Sequence, residues 1–132
     1  MKIEFTVYGA PIPKARARTV RLKNGMTITY TPEKTETWED MIRLQILKHR
    51  PEKLIDGALS LKATFYLQRG KSIPKKREYP ETKPDLDNLL KCLTDAAEGI
   101  IYTNDSRIVD ESVGKRYGDP PRVEVSLEEI ST

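Results

Sequence analysis

Three aspartates have the types and spacing to do chemistry together. Asp85 and Asp87 stand one residue apart in Lys83-Pro84-Asp85-Leu86-Asp87-Asn88-Leu89-Leu90-Lys91, and Asp105 follows in Asn104-Asp105-Ser106. Carboxylates packed together repel: at ~4 Å each pair costs about 1 kcal/mol in water and about 4 at an effective dielectric of 20. A divalent cation reverses that sign. Mg²⁺ takes oxygen ligands, retains several waters and commonly binds a few carboxylates together with substrate phosphate. Such an ion activates water and stabilises the oxygen displaced in phosphodiester cleavage. Lys91, four residues after Asp87, is a compact positive charge suited to stabilising a phosphorane-like transition state or steering the water. Asp95, one turn further on, can hold Lys91 in place. Each residue also has a plainer reading. An aspartate at a helix start caps free N–H groups and meets the positive end of the dipole. Asp87 with Lys91 is an ordinary helical ion pair worth about 0.2–0.5 kcal/mol. On the residues alone both readings stay open.

Positioning these groups requires a helix that begins at Asp85 or Leu86 and runs to about Ala97, with Gly99 placed to end it. Leu86, Leu89, Leu90, Leu93 and Ala97 then form one apolar arc, and Asp87, Asn88, Lys91 and Asp95 fall on the other. A turn through Ile100-Ile101-Tyr102 into a strand over Arg107–Tyr117 can bring Asp105 beside the helix start. Elsewhere, Lys2–Tyr8 alternates as a half-buried strand, which Gly9-Ala10-Pro11-Ile12-Pro13 stops. Arg18–Leu22 and Met26–Tyr30 flank the hairpin signal Asn24-Gly25. Thr31 is the expected N-cap of a helix with Pro32 at its first position. Trp38, Met41, Ile42, Ile46 and Leu47 recur at helical spacing, and Pro51 ends the helix. Leu59–Leu67 reads as a strand with Leu59, Leu61, Ala63, Phe65 and Leu67 on one face. Gly70–Pro84 is a loop long enough to be functional or mobile. Gly118-Asp119-Pro120-Pro121 turns into a last strand, Arg122–Leu127. The order β-ββ-α-β-α-β-β predicts an α+β fold, a small mixed sheet with two helices on one face. The 132 residues fit a single domain over 1–132.

The formal net charge of +3 says little, but its distribution says more. Up to Tyr30 the bases are Lys2, Lys14, Arg16, Arg18, Arg21 and Lys23, opposed by Glu4. A second cluster holds Arg69, Lys71, Lys75, Lys76, Arg77 and Lys83, opposed by Glu78 and Glu81. Two basic loops beside an acidic pocket suit a polyanion bound around a metal. Lys14, Arg16 and Arg18, and Lys71, Lys75, Lys76 and Arg77, are the candidate phosphate contacts; solvated lysine-rich loops are the plain alternative. The single cysteine, Cys92, excludes an internal disulfide, and with His49 it falls short of a zinc site. No apolar run approaches a membrane span and no signal peptide is expected. The expected setting is cytoplasmic, with no membrane partner and no small-molecule cofactor.

Asp85-Leu86-Asp87-Asn88-Leu89 with Lys91, then Asp95-Ala96 and Asn104-Asp105, resembles the RusA family of Holliday junction resolvases. Gly9-Ala10-Pro11-Ile12-Pro13-Lys14-Ala15-Arg16-Ala17-Arg18 is similar to the Gly-x-Pro-x-Pro-Lys-x-Arg segment of many phage and prophage members, and Tyr30-Thr31-Pro32 has the same flavour. The resemblance implies a homodimer of small α+β subunits that nicks paired strands of a four-way DNA junction in recombination and repair, leaving ligatable ends. It implies Mg²⁺, with Mn²⁺ able to substitute. It places the metal ligands on Asp85, Asp87 and Asp105 and the family lysine on Lys91. There are departures. The family's later acidic pair appears here as Asn104-Asp105, so the ligand falls on Asp105. The spacer ahead of it is slightly shorter, and the basic residue before the first acid is Lys83, displaced by Pro84. Two cuts at related positions suit a two-fold dimer; Trp38, Tyr8 and the first strand are candidates for its surface, each with an equally good core reading. Two competing readings remain: a non-catalytic DNA-binding module whose salt-sensitive binding ignores the aspartates, and a metal-dependent phosphodiesterase for a smaller substrate, to which the basic loops would be surplus.

Overall fold

The alternation at the N-terminus becomes strand β1 (Lys2–Tyr8), with Phe5 and Val7 buried. In the computed structural model, which describes residues 1–15 and 17–130, β1 pairs antiparallel with β6 (Arg122–Glu129). β6 pairs antiparallel with β4 (Leu59–Leu67), and β4 runs parallel to β5 (Ile108–Tyr117), giving the order β1-β6-β4-β5. Parallel neighbours need a crossover, and here it is the long loop after β4 followed by helix α2 (Leu86–Ala97). Phe5, Val7, Leu61, Ala63, Phe65, Val123, Val125 and Leu127 bury one face of the sheet. Glu4, Thr6, Lys62, Thr64, Glu124 and Ser126 leave the other face polar and open. Both helices therefore lie on one side, α1 (Glu33–Ile46) packed against α2. Among the described residues no helix is long and apolar enough to cross a membrane.

Helix α1 departs from the expected pattern in two ways. Thr31 is not its N-cap. Pro32 holds that position with an extended ψ of 141°, so the helix begins one residue late and its start has no side-chain cap. Thr35 fixes this end instead: its hydroxyl accepts the Ala15 N–H at 3.1 Å and donates to the Pro13 carbonyl at 3.2 Å. Of the apolar residues at helical spacing, Trp38, Ile42 and Ile46 enter the core, whereas Met41 and Leu47 are exposed. Trp38 thus takes its core reading.

Gly9 lets the chain pass that tryptophan. Its φ is +136°, and a Cβ there would lie 2.8 Å from the indole ring. Gly9→Ala is expected to destabilise the fold by about 1–3 kcal/mol through backbone strain and this clash, read as a lower midpoint of denaturant unfolding.

The hairpin of β2 (Arg18–Arg21) and β3 (Thr27–Tyr30) forms a separate two-stranded sheet, exposed on both faces. Its turn is not the two-residue type: Gly25 alone takes positive φ, at 86°. The Gly25 N–H donates to the Leu22 carbonyl, and Asn24 Oδ1 accepts the Met26 N–H at 3.0 Å. This is a three-residue loop closed by glycine.

Candidate active site

α2 binds to the core through Leu89, Cys92, Leu93, Ala96 and Ala97, which leaves Asp87, Asn88 and Lys91 on its exposed face. Burial pushes the Cys92 thiol up to about 12, so it is an inert core residue. Asp85 occupies the N-cap position with extended backbone, yet its carboxylate makes no capping hydrogen bond. The plainer reading of Asp85 as a helix cap is therefore not realised, and its oxygens are free for other work. Asp87 accepts the N–H of Asn88 at 3.0 Å.

The helical pair expected between Asp87 and Lys91 does not form. The Lys91 ammonium lies 3.0 Å from Asp95 and 3.7 Å from Asp105. The Asp95 hydrogen bond and charge, with a smaller contribution from Asp105, raise its pKa above the ordinary lysine value against the pull of partial burial. Asp95 in turn lies 3.4 Å from Lys14, which bonds Glu39 at 3.1 Å. Partial burial alone would lower the Lys14 pKa, but Glu39 and Asp95 more than offset it and raise the value. A continuous row of alternating charge, Glu39–Lys14–Asp95–Lys91–Asp105, thus runs from α1 across α2 to the turn before β5.

Asp105 is fixed from several sides. Its N–H donates to Glu98 at the end of α2, at 3.0 Å. Asn104 caps the short 3₁₀ turn Asp105–Arg107 by accepting the Ser106 N–H at 2.9 Å. Asp56 accepts from Thr103 at 2.6 Å and from Arg107 at 3.0 Å. Beneath the turn, the buried Tyr102 hydroxyl donates to the Thr94 carbonyl at 2.6 Å. Asn104 is therefore a cap for the turn that carries Asp105.

Asp87, Lys91 and Asp105 line one cavity of about 230 Å³ between α2 and β5, together with Glu111. Asp85 faces a neighbouring cleft formed by Pro11, Pro13 and Lys14 on one side and Lys83 and Pro84 on the other. Among the described residues no three Asp, Glu, His or Cys groups converge closely enough to hold a metal ion by themselves. The oxygen-only donor set nonetheless fits Mg²⁺, which is usually held by one or two carboxylates, waters and substrate phosphate.

Glu111 is absent from the sequence-based set, and strict alternation would miss it. Leu59 pairs with Ile108, but Ser60 pairs with Asp110, so the ladder slips at Val109. That bulge puts Glu111, opposite Leu61, on the same helix-bearing face as Ile108. Bulges re-aim side chains in this way beside active sites. The pairs of Lys14 with Glu39 and Asp95, and of Lys91 with Asp105, also join residues far apart in the chain, which local spacing does not reveal.

The candidate phosphate contacts are spread more widely. Lys14 is already engaged by two carboxylates. Arg18 is exposed on the hairpin, and Arg16 lies outside the described residues. Lys71, Lys75 and Lys76 are exposed on the long loop, while Arg77 is half-buried and lies 3.7 Å from Glu81.

The sequence model of the endodeoxyribonuclease RusA family matches residues 8–128. The chain is 38% identical to the Bacillus subtilis (strain 168) protein YqaN, over 98% of this chain and 97% of that one. It is 30% identical to the crossover junction endodeoxyribonuclease RusA of Lactococcus phage r1t, over 67% of this chain and 70% of the phage protein.

Proposed function

The chain belongs to the RusA endodeoxyribonuclease family, and from that premise we propose that it is a Mg²⁺-dependent endonuclease that resolves four-way DNA junctions by paired nicking as a homodimer. The observation that carries this reading is the cavity between α2 and β5, where Asp87 and Asp105 face Lys91. Mg²⁺, when bound, supplies a Lewis acid for the scissile phosphate and lowers the pKa of a bound water. Asp87 and Asp105 would hold it, with Asp85 contributing from the N-cap, where no helix N–H engages its carboxylate. Lys91 is kept charged by Asp95 and Asp105 and directed at the cavity, where negative charge develops as the phosphodiester breaks. Arg18, Lys71, Lys75 and Lys76 are free to meet phosphates outside the cavity.

Support for a two-fold partner comes from the hairpin. Val20 and Ile28 are directly paired, and with Leu22, Met26 and Tyr30 they form an apolar row exposed to water. A two-stranded sheet alone is marginal in water. Ile28→Lys is expected to convert a sedimenting dimer into a monomer that still folds; an unchanged sedimentation coefficient would remove the hairpin from the interface.

The function is tested by comparing cleavage of a synthetic four-way junction, a flap and a linear duplex, with and without Mg²⁺. The expected result is symmetric nicking of the junction only with metal. Binding without cutting would instead favour a DNA-binding module, and preferential hydrolysis of a small phosphodiester would favour a different esterase.

A further inference from the structure

Lys115, towards the C-terminal end of β5, pairs in register with Phe65 and is half-buried. Its ammonium donates to the backbone carbonyls of Thr82 and Pro84, each at 2.9 Å. The Pro84 carbonyl belongs to the peptide that enters Asp85. The two following residues grip the same loop. The Arg116 guanidinium stacks over the Tyr79 ring at 5.1 Å, and the Tyr117 ring carries Arg69 at 4.3 Å. Arg69 itself donates to the carbonyls of Pro74 and Arg77. Three consecutive residues of one strand thus hold the crossover loop along its length, with the last grip beside Asp85.

The same strand starts just after Asp105 and carries Glu111 into the cavity. β5 therefore fixes Asp105 and Glu111 at one end and the entry to α2 at the other. We propose that Lys115 is a positioning residue: through the Thr82 and Pro84 carbonyls it sets where the first turn of α2, with Asp85 and Asp87, stands relative to Asp105. Lys115 is thereby distinguished from a phosphate-binding lysine, because two of its three donors are spent on the protein's own backbone. Its catalytic consequence rests on the reading of the α2–β5 cavity as the cleavage site. The geometric part, that Lys115 orders residues 82–88, does not.

The test uses Lys115→Met, which keeps the apolar stem, and Lys115→Arg, which keeps donors. Junction cleavage and backbone amide exchange are followed on the full chain. In Lys115→Met the amides of residues 89–91, which close the first turn of α2 on the carbonyls of residues 85–87, exchange faster while those of β4 and β6 do not change. Its kcat falls about 10²-fold, the scale expected for a displacement of about 1 Å in catalytic groups, while KM for junction DNA stays at the wild-type value. Lys115→Arg recovers most of the rate. A raised KM with unchanged kcat, the signature of a lost phosphate contact, would overturn the proposal, and so would unaltered exchange at residues 89–91. If the wild-type chain cuts no DNA, the functional reading falls, and the exchange measurement still decides whether Lys115 orders the α2 entry.

Discussion

Asp87→Asn is expected to reduce junction cleavage by more than about 10²-fold while leaving the protein folded and bound to DNA. Loss of a partner outside a metal's ligand shell typically costs about 10–100-fold, and loss of a ligand itself should exceed that. The substitution preserves shape. Asp87 is exposed and its one described hydrogen bond is from the adjacent Asn88 N–H, which an amide oxygen can also accept. The cost to folding is limited to a helix-dipole contribution of about 0.3–1 kcal/mol. Removing a negative charge from a site facing phosphate should leave DNA affinity unchanged or improve it. Single-turnover rates with protein in excess separate the two effects: a large fall in rate with retained binding is the expected outcome. Equal losses of binding and rate would mean that Asp87 organises the DNA surface rather than the chemistry.

Lys91→Met is expected to lower the single-turnover rate by about 10²–10³-fold, the scale seen when one donor to developing negative charge is removed. Its side chain is 53% exposed and its ion pairs are of the kind that add little to folding, so the thermal midpoint should barely move. Lys91→Arg should restore the rate only in part, because a planar fork does not replace a compact ammonium between Asp95 and Asp105. Asp95→Asn tests the support beneath it. It leaves Asp105, at 3.7 Å, as the remaining carboxylate paired with Lys91, and a fall of about 10–100-fold is expected for a partner of that kind. A larger loss in Asp95→Asn than in Lys91→Met would exchange the two roles.

The contrast between α2 and β5 explains what the sequence revealed. The register of α2 follows from Leu86, Leu89, Leu90 and Leu93, because an amphipathic helix can bury only one arc. The exposure of Asp87 and Lys91 was therefore legible before any fold was known. The strand faces of β4 and β6 were legible for the same reason at period 2. β5 was not, because one extra residue at Val109 changes which side chains face α2, and local composition does not mark it. Lys91 shows a second limit: spacing offers both Asp87 and Asp95, and the expected Asp95 contact forms, but nothing local shows that Asp87 stays unpaired with it or that Asp105 reaches it through the fold. Lys14 reads as a free basic-loop residue, yet Glu39 and Asp95 claim it from two helices. Lys115 bears no mark in sequence at all, because what it holds are backbone carbonyls.

The central claim is that the α2–β5 cavity is where the divalent cation acts, and Mn²⁺ is its most direct probe. Titrated into isotope-labelled protein without DNA, Mn²⁺ should broaden the amide resonances of residues 85–91 and 104–111 first, and Asp87→Asn should weaken that broadening while the rest of the spectrum is unchanged. Broadening centred instead on the open sheet face around Glu4 and Glu124, or the same pattern undiminished in Asp87→Asn, would contradict the account.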